Sequence, residues 1–128
     1  RYVAVHDVGR ALNPLGLAGQ IQGGVAQGLG FALFEDLVVE GGQVLNPNLV
    51  DYRLPTFDVT PKMLGCITVE GESSGGPYGA KGIGELPFGP VAPAIANAIY
   101  NAVGVRIRTL PMTPERIWRE LSTSSKHF

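Results

Sequence analysis

The sequence predicts a single α+β domain, and three observations carry that reading. A long glycine-rich stretch with helical periodicity opens at Asn13-Pro14, short β-branched runs flank it, and shorter helical stretches follow towards the C-terminal end. At 128 residues the chain has the size of one domain with its own core, without an internal repeat or a linker. The expected architecture is a long glycine-rich helix, a small mixed or antiparallel sheet and two further helices. Residues 1–121 form the domain in this reading, and 122–128 a flexible tail.

Composition narrows the function classes. Charged residues make up only 16% against 45% apolar, so much surface is buried, in a core or against partner chains. Net charge is −1 and no basic run occurs, which argues against nucleic acid or an anionic membrane as partner. The single cysteine, Cys66, excludes an internal disulfide framework and any cysteine-cluster metal site. Its setting, Gly65-Cys66-Ile67-Thr68-Val69, reads as a buried strand. No apolar run approaches the ~20 residues that span a bilayer, and no signal-peptide pattern appears. A cytoplasmic location is the expectation. Position 1 is arginine rather than methionine, which reads as a start inside a longer product.

Taken in order, Tyr2 to Gly9 alternates as a strand. His6 and Asp7 near its end are adjacent, so they face opposite sides and do not suit a shared metal ion. Asp7 is expected to bond backbone groups of the following turn. Asn13 as N-cap and Pro14 at the first position open a helix running to about Glu35. Its core stripe is Ala18, Ile21, Val25, Leu29 and Ala32. Gly16, Gly19, Gln20, Gly23, Gln27 and Gly30 fall within roughly a 100° sector on the other side. Helix-interior glycine costs about 0.8–1.0 kcal/mol relative to alanine, so something must approach that backbone closely. Either another element packs there, or a flat ligand lies on the face with Gln20 and Gln27 offering amides. The glycine spacing is no dinucleotide fingerprint, because it lies within the helix.

Gly41-Gly42 between apolar runs signals a hairpin, and Asn46-Pro47-Asn48 a loop. Val50 to Pro55 is an irregular connection in which Asp51 and Arg53 are spaced as a surface pair. Lys62 to Glu70 reads as a strand, and Glu70 and Glu72 as solvated carboxylates. From about Pro90, Val91, Ile95, Ile99 and Ala102 recur at helical spacing until Gly104 stops the helix. Val105 to Leu110 alternates as a strand with Arg106 and Arg108 on its charged face. Thr113 to Leu121 is a short capped helix.

The organising stretch is Gly79-Ala80-Lys81-Gly82-Ile83-Gly84-Glu85-Leu86-Pro87. Its glycines allow an unusual backbone path or a close ligand. A lone acid follows them, just ahead of what reads as a helix start at Pro87. Two readings stay open at this level. Glu85 either complements the positive helix end, worth about 0.3–1 kcal/mol, or is a general base held on a glycine turn.

Several motifs together resemble the molybdenum hydroxylases of the xanthine dehydrogenase and aldehyde oxidase type. They are Asp7-Val8-Gly9 with Asn13-Pro14, the run from Gly19 to Gly30, Lys81-Gly82-Ile83-Gly84-Glu85-Leu86-Pro87, and Thr113-Pro114-Glu115-Arg116-Ile117. The resemblance covers nearly the whole chain and is to the C-terminal part of the molybdopterin-binding (large) subunit. It implies that Glu85 is the active-site base, taking a proton from a molybdenum-bound hydroxyl that attacks an aldehyde or heteroaromatic carbon. It implies cofactor contacts from Gln20, Gly23, Gly24, Gln27, Lys81, Gly82 and Gly84, with no direct metal ligand. The implied cofactor is molybdenum-molybdopterin, with iron–sulfur clusters and possibly FAD on other domains or subunits. The implied partners are the remainder of the molybdenum subunit, those electron-transfer subunits and a small-molecule substrate. Family subunits are several times longer, so alone the chain is expected to be inactive. The alternatives are a non-catalytic cofactor-binding or assembly module, or an isolated domain that lacks its upstream chain.

Overall fold

A computed structural model describes residues 1–72 and 75–124. Strand β1 (Tyr2–Asp7) turns Ala4 and His6 inward and leaves Val3 and Val5 exposed. It pairs in parallel with β4 (Met63–Val69), Ala4 opposite Cys66 and His6 opposite Thr68. Parallel strands need a long crossover. Here it comprises helix α1 (Pro14–Leu33), the hairpin β2 (Val39–Glu40) and β3 (Gln43–Val44), and an irregular return. Among the described residues the small sheet is therefore two separate two-stranded ribbons, one parallel and one antiparallel. Gly41 and Gly42 sit at φ +55° and +82°, the paired left-handed conformation that a tight hairpin turn requires.

Helix α1 begins where the sequence places it. Asn13 Oδ1 accepts the Gly16 N–H at 2.9 Å, and Pro14 occupies the first turn. The stripe Ile21, Val25, Leu29 and Ala32 is buried. Ile21 and Val25 join Ala4, Val8, Ile83 and Val91 in one core, with Tyr2, Leu17, Cys66 and Ile95 packed around it. Fully burying such aliphatic side chains is worth about 1.5–3 kcal/mol each.

The predicted glycine face is approached closely at Gly30, by Glu35 and Pro55, and a second close approach to α1 falls beside that face. Helix α2 (Val91–Val103) and the turn before it lie against Gly24 and Gly28. A Cβ on Gly24 would stand 2.7 Å from Pro87 Cβ, and one on Gly28 2.6 Å from Val91 Cβ. Phe31, near the end of α1, meets Phe88 edge to face at 5.5 Å. Gly104, at φ +75°, ends α2 as its left-handed cap.

The expected strand over Val105–Leu110 does not form. The alternation is real, since Val105 is buried while Arg106 and Arg108 are exposed. A strand also needs a ladder partner, and among the described residues this segment has none. Arg106 lies over the Tyr100 ring at 3.8 Å and donates to Asn97 Oδ1 at 3.1 Å, which ties it to α2. The segment then returns to α1, where Met112 N–H donates to Ala32 O at 2.6 Å. Asp51 does not pair with Arg53; it accepts from Asn48 Nδ2 at 3.1 Å within its own loop.

Helix α3 (Pro114–Ser124) carries Thr113 at its start, whose Oγ1 accepts the Arg116 N–H at 3.3 Å. Arg116 also donates to Pro111 O at 2.8 Å and to Asp36 Oδ2 at 3.0 Å, fastening α3 to the exit of α1. The helix takes in residues 122–124 of the expected tail, and 125–128 lie outside the described residues.

The two kinds of helix glycine predict opposite mutational outcomes. Nothing lies within 4 Å of a Cβ built on Gly23. Gly23→Ala should therefore raise stability by about 0.8–1 kcal/mol, whereas Gly24→Ala should lower it by about 1–3 kcal/mol through overpacking. Denaturant unfolding of both variants against the parent checks the sign of each.

Candidate functional site

The elbow is fixed at its entry by backbone pairing with the turn after β1. Arg10 N–H donates to Gly79 O at 2.8 Å, and Lys81 N–H to Val8 O at 2.9 Å, flanking a bridge between Gly9 and Ala80. Gly9 stands at φ +60°, and a Cβ there would collide with the Gly79 carbonyl oxygen. Downstream, Ile83 enters the core and Pro87 is buried on Gly24. Gly84, Glu85 and Leu86 form an exposed span between these anchors.

Glu85 is not directly ahead of a helix. A turn intervenes, in which Phe88 N–H donates to Glu85 O at 3.1 Å and Val91 N–H to Phe88 O at 3.2 Å. Proline at 87 and 90 removes backbone donors there, and α2 starts only at Val91. Helix-end electrostatics fade within the first turn, so complementing the α2 dipole does not account for Glu85. Its carboxylate is exposed, without a hydrogen bond or ion pair among the described residues.

Residues singled out on α1 fall into two sets. Gln20, Gly23 and Gln27 are exposed, and the space around Gly19 and Gly23 is open. Gly24 is buried beneath Pro87. At about 100° per residue, Gln20 and Gln27 project roughly 40° and 60° from Gly24. The glycine–glutamine face thus borders the point where the elbow lands on the helix. Gly82 and Gly84 also have open space where a Cβ would be. A cleft of about 250 Å³ runs between the elbow and the start of α1, with Arg10, Asn13, Gly16 and Lys81 in its wall. A larger cleft of about 600 Å³, lined by Gln22, Val25, Phe57, Asp58 and Lys62, includes none of the candidate catalytic or cofactor-contacting residues.

Asp7 proves more connected than its sequence context shows. Its Oδ1 accepts the Gly9 N–H at 2.9 Å, the expected turn bond, and the Gly71 N–H at 3.4 Å. Its Oδ2 receives Lys81 Nζ at 2.6 Å. Lys81, read from sequence as a cofactor contact, thus directs its ammonium to the end of β1. The only local signal was the aspartate before Gly9; the partners come from 64 and 74 residues further along. His6, its neighbour, is buried on the opposite side, as alternation requires. Glu70 and Glu72 are exposed.

The Lys81 hydrogen bond, then that from Gly9, hold the Asp7 carboxyl below its ordinary pKa. A carboxylate with a depressed folded-state pKa stabilises the fold above its unfolded value, about 3.9, and loses that contribution as pH falls through the folded value. Asp7→Asn should therefore flatten the acid limb of thermal stability below about pH 4. Melting curves of the variant and the parent across that range test it.

Comparison with known proteins gives a consistent result. The model of the molybdopterin cofactor-binding domain matches residues 1–61. A putative xanthine dehydrogenase molybdenum-binding subunit of Escherichia coli is 46% identical over 94% of this chain. The aldehyde oxidoreductase of Megalodesulfovibrio gigas is 41% identical over 90% of it. The crystal structure of quinoline 2-oxidoreductase from Pseudomonas putida superposes with a TM-score of 0.85 at 35% identity, over 94% of this chain and 16% of that one. The chain spans 16% of the length of the Escherichia coli subunit and 12% of the Megalodesulfovibrio enzyme. Sequence and fold agree: the chain belongs to the molybdopterin-binding subunits of the xanthine dehydrogenase and aldehyde oxidase family.

Proposed function

We propose that this chain supplies one wall of the cofactor pocket in a molybdenum hydroxylase, with Glu85 as the active-site base. The observation that carries the reading is an exposed carboxylate, unpartnered among the described residues, on a span anchored at both ends, by Ile83 in the core and Pro87 on Gly24. A solvated surface acid needs no such anchoring. A base needs it, because proton transfer depends on holding the acceptor oxygen within hydrogen-bond reach of the reacting group.

The residues present fit a flat, polar pterin. Gly19 and Gly23 leave the α1 backbone open, and Gln20 and Gln27 are exposed beside it, each with an amide donor and acceptor. In this reading Gln20 and Gln27 hold the cofactor edge, Gly23 admits it, and the backbone at Gly82 and Gly84 completes the contact. Gly24 acts from beneath by seating Pro87. When bound, the molybdenum cofactor supplies the two-electron acceptor for oxidation of the substrate carbon. Glu85 accepts the proton released from the oxygen nucleophile as it attacks an aldehyde or heteroaromatic carbon. In this reading the rest of the subunit, several times longer in the relatives, supplies the substrate-selecting residues, and iron–sulfur and flavin partners carry the electrons onward.

In the assembled enzyme, Glu85→Gln preserves shape but removes the base. Turnover should fall by at least about 10²–10⁴-fold with molybdenum content unchanged. Single-turnover kinetics with metal analysis of the same sample provides the test, and activity within a few-fold of the parent would remove Glu85 from the mechanism. Gly23→Ala, stabilising by itself, should lower cofactor occupancy if the open face is the cofactor's seat. Metal and pterin content per protein measure that.

A further inference from the structure

We infer that Asp7 is a positioning residue for Glu85, acting through Lys81 and the elbow; the inference rests on the reading of Glu85 as base. Three segments meet at the Asp7 carboxylate. Oδ1 takes the N–H of Gly9 in the turn after β1 at 2.9 Å and that of Gly71 beyond β4 at 3.4 Å. Oδ2 takes Lys81 Nζ from the elbow at 2.6 Å. Asp7 therefore joins the ends of both strands of the parallel ribbon to the loop that carries the base.

Proximity is enforced around it. A Cβ on Gly71 would stand 2.8 Å from Asp7 Oδ2, so the chain beyond β4 passes directly over the carboxylate. A Cβ on Gly9 would meet Lys81 Cγ at 3.2 Å in addition to the Gly79 carbonyl, so the lysine stem lies flat on the turn. The Lys81 backbone is held by Val8 O at 2.9 Å, and the ammonium by Asp7. Residue 81 is thereby fixed at two points. Only Gly82 separates it from Ile83, whose side chain is in the core, and Glu85 follows across Gly84. Glycine at 82 and 84 imposes little direction of its own. Direction must come from the anchors on either side, and the Asp7–Lys81 contact is the polar side-chain anchor upstream.

The lowered pKa of Asp7 agrees with this arrangement, since the hydrogen bond from Lys81 favours the ionised carboxylate. The pair is only part-shielded, with side-chain exposures of 47% for Asp7 and 38% for Lys81. Exposed ion pairs contribute little to global stability. Its effect should therefore show in the placement of the elbow more than in the melting temperature.

The test uses the assembled molybdenum enzyme with Asp7→Asn and, separately, Lys81→Met. Asparagine keeps an acceptor for Gly9 and Gly71 but removes the charge facing Lys81. Both variants should lower kcat by about tenfold or more, since misplacing a reacting group by about an ångström can cost 10²-fold. KM and molybdenum content should stay within about twofold of the parent. The double variant should be no worse than either single one, because all break the same contact. Hydrogen exchange supplies a readout independent of activity: the amides of Arg10 and Lys81 should exchange faster in both variants. Parent-like kcat and exchange in both, with Glu85→Gln inactive, would overturn the positioning role and leave the base standing. A loss of kcat matched by loss of molybdenum or of folded enzyme would reduce Asp7 to a structural part and equally overturn it. An active Glu85→Gln enzyme would remove the base itself, whatever Asp7 does.

Discussion

The contact on which the rest depends is the seating of residues 87–91 on Gly24 and Gly28 of α1. Both glycines lack the atom that would stand within 2.7 Å of a neighbour, so this approach is available only to a bare helix backbone. It sets α2 against α1, and it fixes the downstream end of the elbow. The same seat brings the proline that follows Glu85 to the border of the open glycine–glutamine face. Close helix packing and placement of the acid are therefore one geometric fact. Replacing the glycines by a better helix former would gain propensity and lose the seat.

The upstream end of the elbow depends on different chemistry. There the chain is held by backbone pairing with the turn after β1, by the left-handed Gly9, and by the Asp7–Lys81 ion pair. An apolar anchor on one side and a polar one on the other leave Gly84-Glu85-Leu86 as the span free to meet a ligand. Neither anchor uses the Glu85 carboxylate. The acid is positioned by its neighbours and its own oxygens remain available.

Local signals were legible where short-range physics decides the structure. Asn13-Pro14 located the start of α1, Gly41-Gly42 the hairpin and Gly104 the end of α2, because caps and left-handed turns depend on adjacent residues alone. The core stripe of α1 followed from periodicity. What sequence could not carry was the choice among equivalent faces. Glycine at 24 and 28 is the packing pair, although glycine at 19 and 23 is the same residue in the same helix. The i,i+4 spacing of Gly24 and Gly28 beside Ile21 and Val25 was the available clue. Val105–Leu110 alternated like a strand, yet strand formation depends on a partner that no local pattern encodes. The Asp7–Lys81 pair spans 74 positions and was beyond any short-range reading. The residues alone left the general-base and helix-dipole readings of Glu85 open; family resemblance favoured the first, and the structure removed the second by placing a turn between Glu85 and α2.

The parallel ribbon of β1 and β4 has a consequence for how such a chain behaves in solution. Among the described residues each strand has only one hydrogen-bonded neighbour, so both outer edges of the ribbon present unpaired backbone groups. Its outward face exposes Val3, Val5, Ile67 and Val69, each about half accessible. Parallel sheets are ordinarily covered on both faces. An uncovered apolar edge templates the addition of further strands. Produced without whatever normally covers it, the chain would carry a ready site for edge-to-edge association, and its solubility would be governed by that ribbon rather than by its modest net charge.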